Sequence, residues 1–289
     1  MESQENQYRW PKAEAVYPDR PGRSYTLKRL RYRLRAFLHR GLIAQFEQFI
    51  NQHPFLVTLL NEHADYSYPL VYRFLDKRFN RKQRFQAICD NLLFLPKKLT
   101  ALSAPIYKTP LSFGEVIPDF EMVLSMTTHQ PMEGYWVLEL WHKPRNELVY
   151  LLTFAKLGEA LLISVVQGPN FEGSKEMVKQ LTKTCYGLRP AYLMVEMMKA
   201  LTKALGFKTL LGIPQKYQNK SRFIQSSHYV VDYDAIFAES GGQLKDYWEL
   251  PLEIDRNLDD VPSKKRSMYR KRYAMLDDLA KVIEEKLEL

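Results

Sequence analysis

Four short apolar runs in the middle of the chain constrain its fold more than any other feature. They are Phe120–Met126, Tyr135–His142, Leu148–Phe154 and Ala160–Val166, with turn-forming residues such as Gln130-Pro131 and Lys143-Pro144-Arg145-Asn146 between them. Apolar runs of this length between turns predict β-strands, and short connections predict antiparallel neighbours. The third and fourth runs contain almost no polar residue, so these strands should be covered on both faces.

The residues on both sides of these runs follow a helical period instead. From Tyr25 the apolar residues recur at three- and four-residue spacing, which predicts an amphipathic helix continuing to about Phe49 and ended by Pro54. The further predicted helices are 55–62, 69–74, 82–94, 174–185, 190–205 and 263–288, and the further strands are 208–213 and 246–252. Pro96 should end the N-terminal group of helices.

This order of elements predicts an α+β fold. We expect a helical N-terminal region, followed by a mixed, largely antiparallel sheet with flanking helices and a C-terminal helix. Residues 1–24 contain Pro11, Pro18, Pro21 and Gly22, so they should form a flexible arm. The predicted domains are then a helical subdomain at 25–104 and an α+β domain at 105–289 that ends in a basic helix.

The positive charge of the chain lies in its first third. The formal net charge is +9, and residues 1–100 hold 18 Lys and Arg against 9 Asp and Glu, so the remainder is formally neutral. In the first predicted helix the basic residues are Lys28, Arg29, Arg31, Arg33 and Arg35. They predict a surface for an anionic membrane or an acidic protein partner. The leucines of this helix equally suit packing on neighbouring helices.

Several classes of protein do not fit the composition. No apolar stretch approaches the roughly 18 residues of a membrane-spanning helix, and the polar N-terminus has no apolar core of a secretory signal. The cysteines, Cys89 and Cys185, cannot form a disulfide framework. No spacing of ligands predicts a metal site, and Asp119, Glu121, Glu133 and Glu139 should be surface charge. We expect a cytoplasmic protein, with peripheral contact at the inner membrane left open.

The turn after the fourth apolar run is a candidate phosphate or cofactor site. Its residues are Gln167, Gly168, Asn170, Gly173 and Ser174, and a helix is predicted to start at the end of this segment. Free backbone N–H groups at a helix start favour an anion. The glycine spacing matches no known phosphate-binding motif, so a plain tight turn is the alternative.

The polar segment 216–228 is a second candidate site, because ligand contacts often follow a buried strand. Lys216, Asn219, Lys220 and Arg222 could hold an anion, and the candidate acid or base residues are His228, Tyr229 and Asp232. A solvated connection is the alternative. Cys185 is not expected to act as a nucleophile with His228 and Asp232, because it lies on the predicted buried face of a helix.

The segment SKKRSMYRKRY at 263–273 combines six basic residues with two tyrosines. On a helix, Tyr269, Tyr273 and Leu276 share one face, so they should pack on the rest of the protein and leave the lysines and arginines outside. Nucleic acid is not the expected partner, because no known nucleic-acid-binding module fits the rest of the chain.

Several segments resemble the bacterial VirK/YbjX family. The matching segments are RLRYRLRAFLHR at 29–40, VVQGPN at 165–170, LTKTCYGLRPAYLMVEMMKALTKALGF at 181–207 and SKKRSMYRKRYAMLDDL at 263–279. The resemblance implies a Gram-negative bacterial factor linked to virulence, envelope maintenance and tolerance of antimicrobial peptides. It implies no catalytic residues, and it leaves open the cofactor, the small-molecule ligand and whether the protein is an enzyme.

The element order also loosely resembles the sheet of GNAT acyltransferases, in which backbone amides after the fourth strand bind a CoA pyrophosphate. This resemblance implies a second function, an acyl- or aminoacyl-transferase with a CoA-type donor. The chain departs from the GNAT pattern at three points: the glycine spacing differs, Pro169 lacks an N–H, and one helix is added. Nucleic-acid binding is the third alternative.

Overall fold

A computed structural model describes residues 7–127, 130–169, 171–219 and 231–287. The α-helices in these ranges are α1 (Ala13–Val16), α2 (Thr26–Leu38), α3 (Arg40–Asn51), α4 (Pro54–Glu62), α5 (Arg81–Lys98), α6 (Ser174–Thr184), α7 (Pro190–Ala204), α8 (Tyr233–Glu239) and α9 (Ser263–Leu287). The strands are β1 (Leu111–Ile117), β2 (Phe120–Met126), β3 (Trp136–His142), β4 (Glu147–Leu157), β5 (Ala160–Gln167), β6 (Leu210–Gly212), β7 (Gln243–Leu244) and β8 (Trp248–Leu250).

The strands form one sheet with the order β1-β2-β3-β4-β5-β6-β8-β7. Strands β1 to β5 are antiparallel neighbours, β5 and β6 are parallel, and the last pairs are antiparallel again. The helices before and after this sheet confirm the α+β fold predicted from the sequence. Seven of the eight residues of β5 are buried, as its unbroken apolar run predicted.

The N-terminal helices differ from the prediction at three points. Residues 69–74 were predicted as a helix, but a 3₁₀ helix covers Ala64–Val71 and ends before Phe74. The helix predicted from Tyr25 to Phe49 is divided at His39, whose backbone (φ −114°, ψ 15°) leaves the helical region and separates α2 from α3. Proline acts as the expected boundary at one of the two positions. Helix α3 ends at Asn51, before Pro54, which begins α4 at a position where its missing N–H has no cost, whereas α5 continues past Pro96 to Lys98.

Residues 7–17 pack against the helices, whereas the sequence predicted a flexible arm over residues 1–24. Tyr8 is buried, and its backbone N–H donates to Oδ1 of Asn51 over 2.8 Å. Trp10 stacks on Tyr32 of α2 with 6.0 Å between ring centroids. The prolines and glycine of this segment are typical of a flexible arm, but its aromatic side chains provide the buried contact area that holds it in place.

Asn91 of α5 joins the N-terminal helices to the sheet. Its side-chain amide donates to the carbonyl oxygen of Lys156 and accepts from the Lys156 N–H, over 2.8 and 2.7 Å. Its own carbonyl oxygen accepts from the indole N–H of Trp136 in β3 over 2.9 Å. One continuous hydrophobic core therefore includes residues of α5, β3 and β4.

Substituting alanine for Gly212 should destabilise the protein, because β6 passes close to a buried ring. A Cβ at Gly212 would lie 2.7 Å from the ring of Phe237, which is fully buried and cannot move away. Overpacking of this kind costs about 1–3 kcal/mol. The matched control is Gly41→Ala in α3, where a Cβ meets open space. This substitution should stabilise the protein by about 0.5–1 kcal/mol. Urea denaturation measures both changes, and a neutral Gly212→Ala would contradict the packing described.

Candidate functional site

Helix α2 turns its apolar side chains toward solvent. Their exposed fractions are Leu27 67%, Leu30 59%, Leu34 58%, Phe37 64% and Leu38 57%. At 100° per residue these five side chains fall within an arc of about 100° on one side of the helix. In the part of the chain that the structure describes, Tyr186 and Leu244 are the only other large hydrophobic side chains exposed by more than a third. The exposed apolar surface is therefore concentrated on α2.

The opposite side of α2 is fixed by polar and aromatic contacts. Tyr32 is the one buried residue of this helix, and its hydroxyl donates to the carbonyl oxygen of Pro11 over 2.8 Å. Tyr32 lies about 180° around the helix from the middle of the apolar face. The alternative expectation, packing of the apolar stripe on neighbouring helices, is therefore wrong for α2, although Leu42 and Ile43 of α3 do pack in the core. The aromatic residues of the segment before α2 occupy the inner side instead.

Three of the five basic residues predicted to form a partner surface take part in this inner packing. Arg29 donates to the carbonyl oxygen of Tyr17 and forms an ion pair with Asp19. Arg35 donates to the hydroxyl of Tyr68 over 2.6 Å and stacks on the ring of Tyr72. The ammonium of Lys28 lies 5.1 Å from the centre of the Tyr25 ring. These side chains fix the orientation of α2 as well as adding to its charge.

The other two, Arg31 and Arg33, lie at the two borders of the apolar face. Arg33 forms an exposed ion pair with Glu14, whereas Arg31 has no ionic or hydrogen-bonding partner within the described ranges. The segment from Thr26 to Leu38 contains five basic residues and no acidic one. Its exposed face is thus an apolar stripe bordered by positive charge.

The turn after β5 is the place of the predicted cofactor site. Gln167 and Gly168 line a cavity of about 250 Å³ with Tyr150, while Gly173 and Ser174 begin α6 outside it. A Cβ at Gly168 would lie 3.0 Å from the Tyr150 hydroxyl oxygen, so a larger residue would have to displace that ring. Asn170 lies outside the described residues. Binding of a cofactor at this turn stays a prediction.

The strands β5 and β6 diverge just before this turn. They pair only over Leu161–Ile163 and Leu210–Gly212. Beyond that point the side-chain amide of Gln218 donates to the carbonyl oxygen of Ser164 over 3.3 Å. A side chain of the protein therefore occupies part of the edge of β5 that β6 leaves unpaired.

The second predicted site is only partly described. Asn219 donates to the carbonyl oxygen of Met132 over 2.8 Å, and Lys216 is exposed with its ammonium 4.8 Å from the centre of the Tyr217 ring. Lys220, Arg222, His228 and Tyr229 lie outside the described residues. Binding of an anion by this segment stays a prediction.

The third candidate acid or base, Asp232, caps helix α8. Its carboxylate accepts from the Ala235 N–H over 2.9 Å, at the edge of a cleft of about 580 Å³ that also contains Arg189 and Glu239. Cys185 is fully buried, which raises the pKa of its thiol to about 12. It is therefore not a reactive thiol at neutral pH, as expected.

Two acidic side chains are buried, which the sequence did not indicate. Glu133 was expected as surface charge but is only 8% exposed. Asp76 is fully enclosed, accepts from the Arg78 guanidinium over 2.7 Å and accepts from the Tyr247 hydroxyl over 2.9 Å. Residues 76 and 247 are far apart in sequence, so no local pattern could have indicated this cluster.

Within the described ranges, no group of His, Cys, Asp and Glu side chains is arranged to hold a metal ion. None of the helices in those ranges combines the length and the apolar character needed to cross a membrane.

Comparison with known proteins identifies relatives of the whole chain. Residues 21–285 match the family described as protein of unknown function DUF535. An uncharacterised protein of Haemophilus influenzae is 79% identical over 282 residues, covering 98% of this chain and 97% of that protein. A Mannheimia haemolytica protein named membrane protein LapB is 64% identical over 216 residues, 75% of this chain and 96% of that protein. The uncharacterised protein YbjX of Escherichia coli is 24% identical over 279 residues, 89% and 83% of the two chains. No solved structure matches.

Proposed function

This chain belongs to the DUF535 family, and we propose that it is a peripheral membrane protein that docks on anionic lipid through helix α2. Membership agrees with the resemblance to the VirK/YbjX family that its motifs indicated. The observation that carries the proposal is the apolar stripe of α2, with its five side chains each more than half exposed. A soluble surface rarely leaves so much contiguous apolar area in water without a partner.

The energy available from this stripe is sufficient for reversible binding. Full burial of a leucine or phenylalanine side chain contributes about 1.5–3 kcal/mol, so side chains exposed by about 60% should contribute about 1–2 kcal/mol each. The five together supply on the order of 5–10 kcal/mol before the cost of immobilising the protein. A basic side chain close to an anionic surface adds about 1 kcal/mol.

The dimensions of α2 indicate binding in the plane of the membrane. Its 13 residues extend about 20 Å, whereas a helix that crosses the hydrocarbon core needs about 20 residues. A helix with one apolar face and basic borders lies between headgroups and acyl chains, with its axis parallel to the surface. Arg31 and Arg33 are then placed at headgroup level, where their long side chains reach phosphates.

The relatives support a role at the bacterial envelope. The Mannheimia haemolytica relative bears the name membrane protein. The resemblance to the VirK/YbjX family implies envelope maintenance, virulence and tolerance of antimicrobial peptides. We therefore place this protein among peripheral factors of the envelope, and the proposal includes no chemical reaction.

Co-sedimentation with vesicles tests the proposal. We expect the protein to bind vesicles containing phosphatidylglycerol at least about tenfold more tightly than vesicles of phosphatidylcholine, because two or more arginines meet the anionic headgroups. Raising the salt concentration should weaken the anionic binding, since screening shortens the range of these charges. Equal recovery with both kinds of vesicle at low salt would contradict it. A stable dimer in sedimentation velocity, with α2 buried between the two copies, would also contradict the proposal.

A further inference from the structure

Helices α6 and α9 meet at the turn that follows α6. The Arg272 guanidinium in α9 donates twice to the carbonyl oxygen of Tyr186, over 2.7 and 3.2 Å. The next residue, Gly187, lies so close to Arg272 and Met268 that a Cβ there would be 3.3 Å from Nη2 of Arg272. This contact brings together two basic segments that are far apart in the sequence.

The α6 side of this junction is a row of lysines. Lys175, Lys179 and Lys183 are spaced four residues apart, so they lie on one face with about 6 Å along the axis between neighbours. All three are exposed, and none has an ion-pair or hydrogen-bonding partner among the residues that the structure describes. Segment 174–189 holds four basic residues against one acidic residue.

The α9 side adds the basic segment 263–273, which contains six basic residues and no acidic one. Two of the six are used internally, since Arg272 binds the Tyr186 carbonyl and Arg266 donates to the Val261 carbonyl over 2.9 Å. The other four are exposed and unpaired within the described ranges: Lys264, Lys265, Arg270 and Lys271. Leu276 is buried as the sequence predicted, whereas Tyr269 and Tyr273 are only half-buried and contact each other and the guanidinium groups of Arg272 and Arg256.

Tyr186 stands at the junction between the two groups of cations. Its backbone is left-handed (φ 52°), a conformation that a bulky residue adopts only where its surroundings impose it. Here Arg272 holds its carbonyl group, and the side chain remains 36% exposed. Tyr186 is thus an accessible aromatic residue at the place where the lysine-bearing helix α6 meets the basic segment of α9.

We propose that this α6–α9 surface binds single-stranded nucleic acid, with phosphates on the lysines and a base stacked on Tyr186. Such sites combine a basic track for the backbone with aromatic rings for unpaired bases. A membrane is a poorer fit, because Tyr186 is the one large apolar side chain that this surface exposes within the described residues. The proposal revises the expectation that nucleic acid is an improbable partner, and it is independent of the α2 docking face.

Fluorescence anisotropy with a labelled oligothymidylate tests the surface. The double variant Lys179→Glu with Lys183→Glu should bind at least tenfold more weakly at low salt, and the slope of log affinity against log salt should fall by about 1.4, or 0.7 for each lost phosphate contact. A matched control, Lys108→Glu with Lys208→Glu, makes the same change of charge at two other exposed lysines and should leave affinity within about twofold.

Variants of Tyr186 distinguish binding of nucleic acid from binding of other polyanions. Tyr186→Ala should weaken binding about tenfold with little change in the salt slope, and Tyr186→Phe should bind like the wild type, because stacking needs only the ring. The proposal is overturned if the oligonucleotide does not bind at low salt, or if the control pair weakens binding as much as the α6 pair. It is also overturned if inorganic polyphosphate or anionic vesicles compete fully while Tyr186→Ala has no effect.

Discussion

Replacing Leu30 and Leu34 together with glutamate is expected to abolish binding to anionic vesicles and to leave the protein folded. Both side chains are more than half exposed, at 59% and 58%, so their loss removes little packing from the folded state. On the membrane, each substitution replaces an inserted apolar side chain with a carboxylate that faces anionic headgroups. We expect affinity to fall at least about 100-fold, which corresponds to about 2.8 kcal/mol.

Two controls separate insertion from charge. Leu244→Glu changes a leucine that is 51% exposed on β7 and should not alter vesicle binding. Arg31→Gln with Arg33→Gln should weaken binding to anionic vesicles about tenfold, because each arginine contributes about 1 kcal/mol and the remaining basic residues still attract the membrane. The same variant should not affect binding to neutral vesicles. Unchanged vesicle binding by the double glutamate variant, with an unchanged thermal midpoint, would exclude α2 as the docking face.

The regular part of the sheet follows from the sequence, and its irregular edge does not. Strands β2 to β5 were predicted because nearly every residue in them is apolar or alternates with polar residues. Strand β1 was not predicted, because two register shifts and Gly114, with φ 81°, interrupt its alternation. Helix α8 has only seven residues, too few to show a helical period.

The orientation of α2 also lies beyond the sequence pattern. Hydrophobic spacing shows that one face of this helix is apolar, but not whether that face is covered. The answer depends on Trp10 and Pro11, which meet Tyr32 from a segment whose prolines suggested a loose arm. Arg29 and Arg35 looked like surface charge, yet their hydrogen bonds to Tyr17 and Tyr68 stabilise the inner side. Tertiary contacts of this kind decide which face a helix buries.

The cluster around Asp76 could not be predicted from the sequence pattern either, because its residues are far apart in the chain. Its carboxylate accepts from the backbone N–H of Arg78 over 2.8 Å, from the Arg78 guanidinium, and from the hydroxyl of Tyr247, which lies 171 residues away. The guanidinium also stacks on the ring of Tyr217 at 3.5 Å. These hydrogen bonds raise the pKa of Arg78 above its ordinary value, so the arginine is charged throughout. The cluster thereby fastens the N-terminal region to the loop after β6.

Asp76→Ala is therefore expected to destabilise the protein by about 3 kcal/mol, because it leaves the Arg78 charge and the Tyr247 hydroxyl without their buried acceptor. Asp246→Ala is the matched control, since Asp246 pairs with the same guanidinium but is 69% exposed, and its loss should cost less than about 1 kcal/mol. Urea denaturation measures both. Amide exchange at Lys77, whose N–H donates to the Tyr217 carbonyl, should also accelerate in Asp76→Ala alone. Equal destabilisation by the two variants would show that burial of Asp76 contributes nothing beyond its charge.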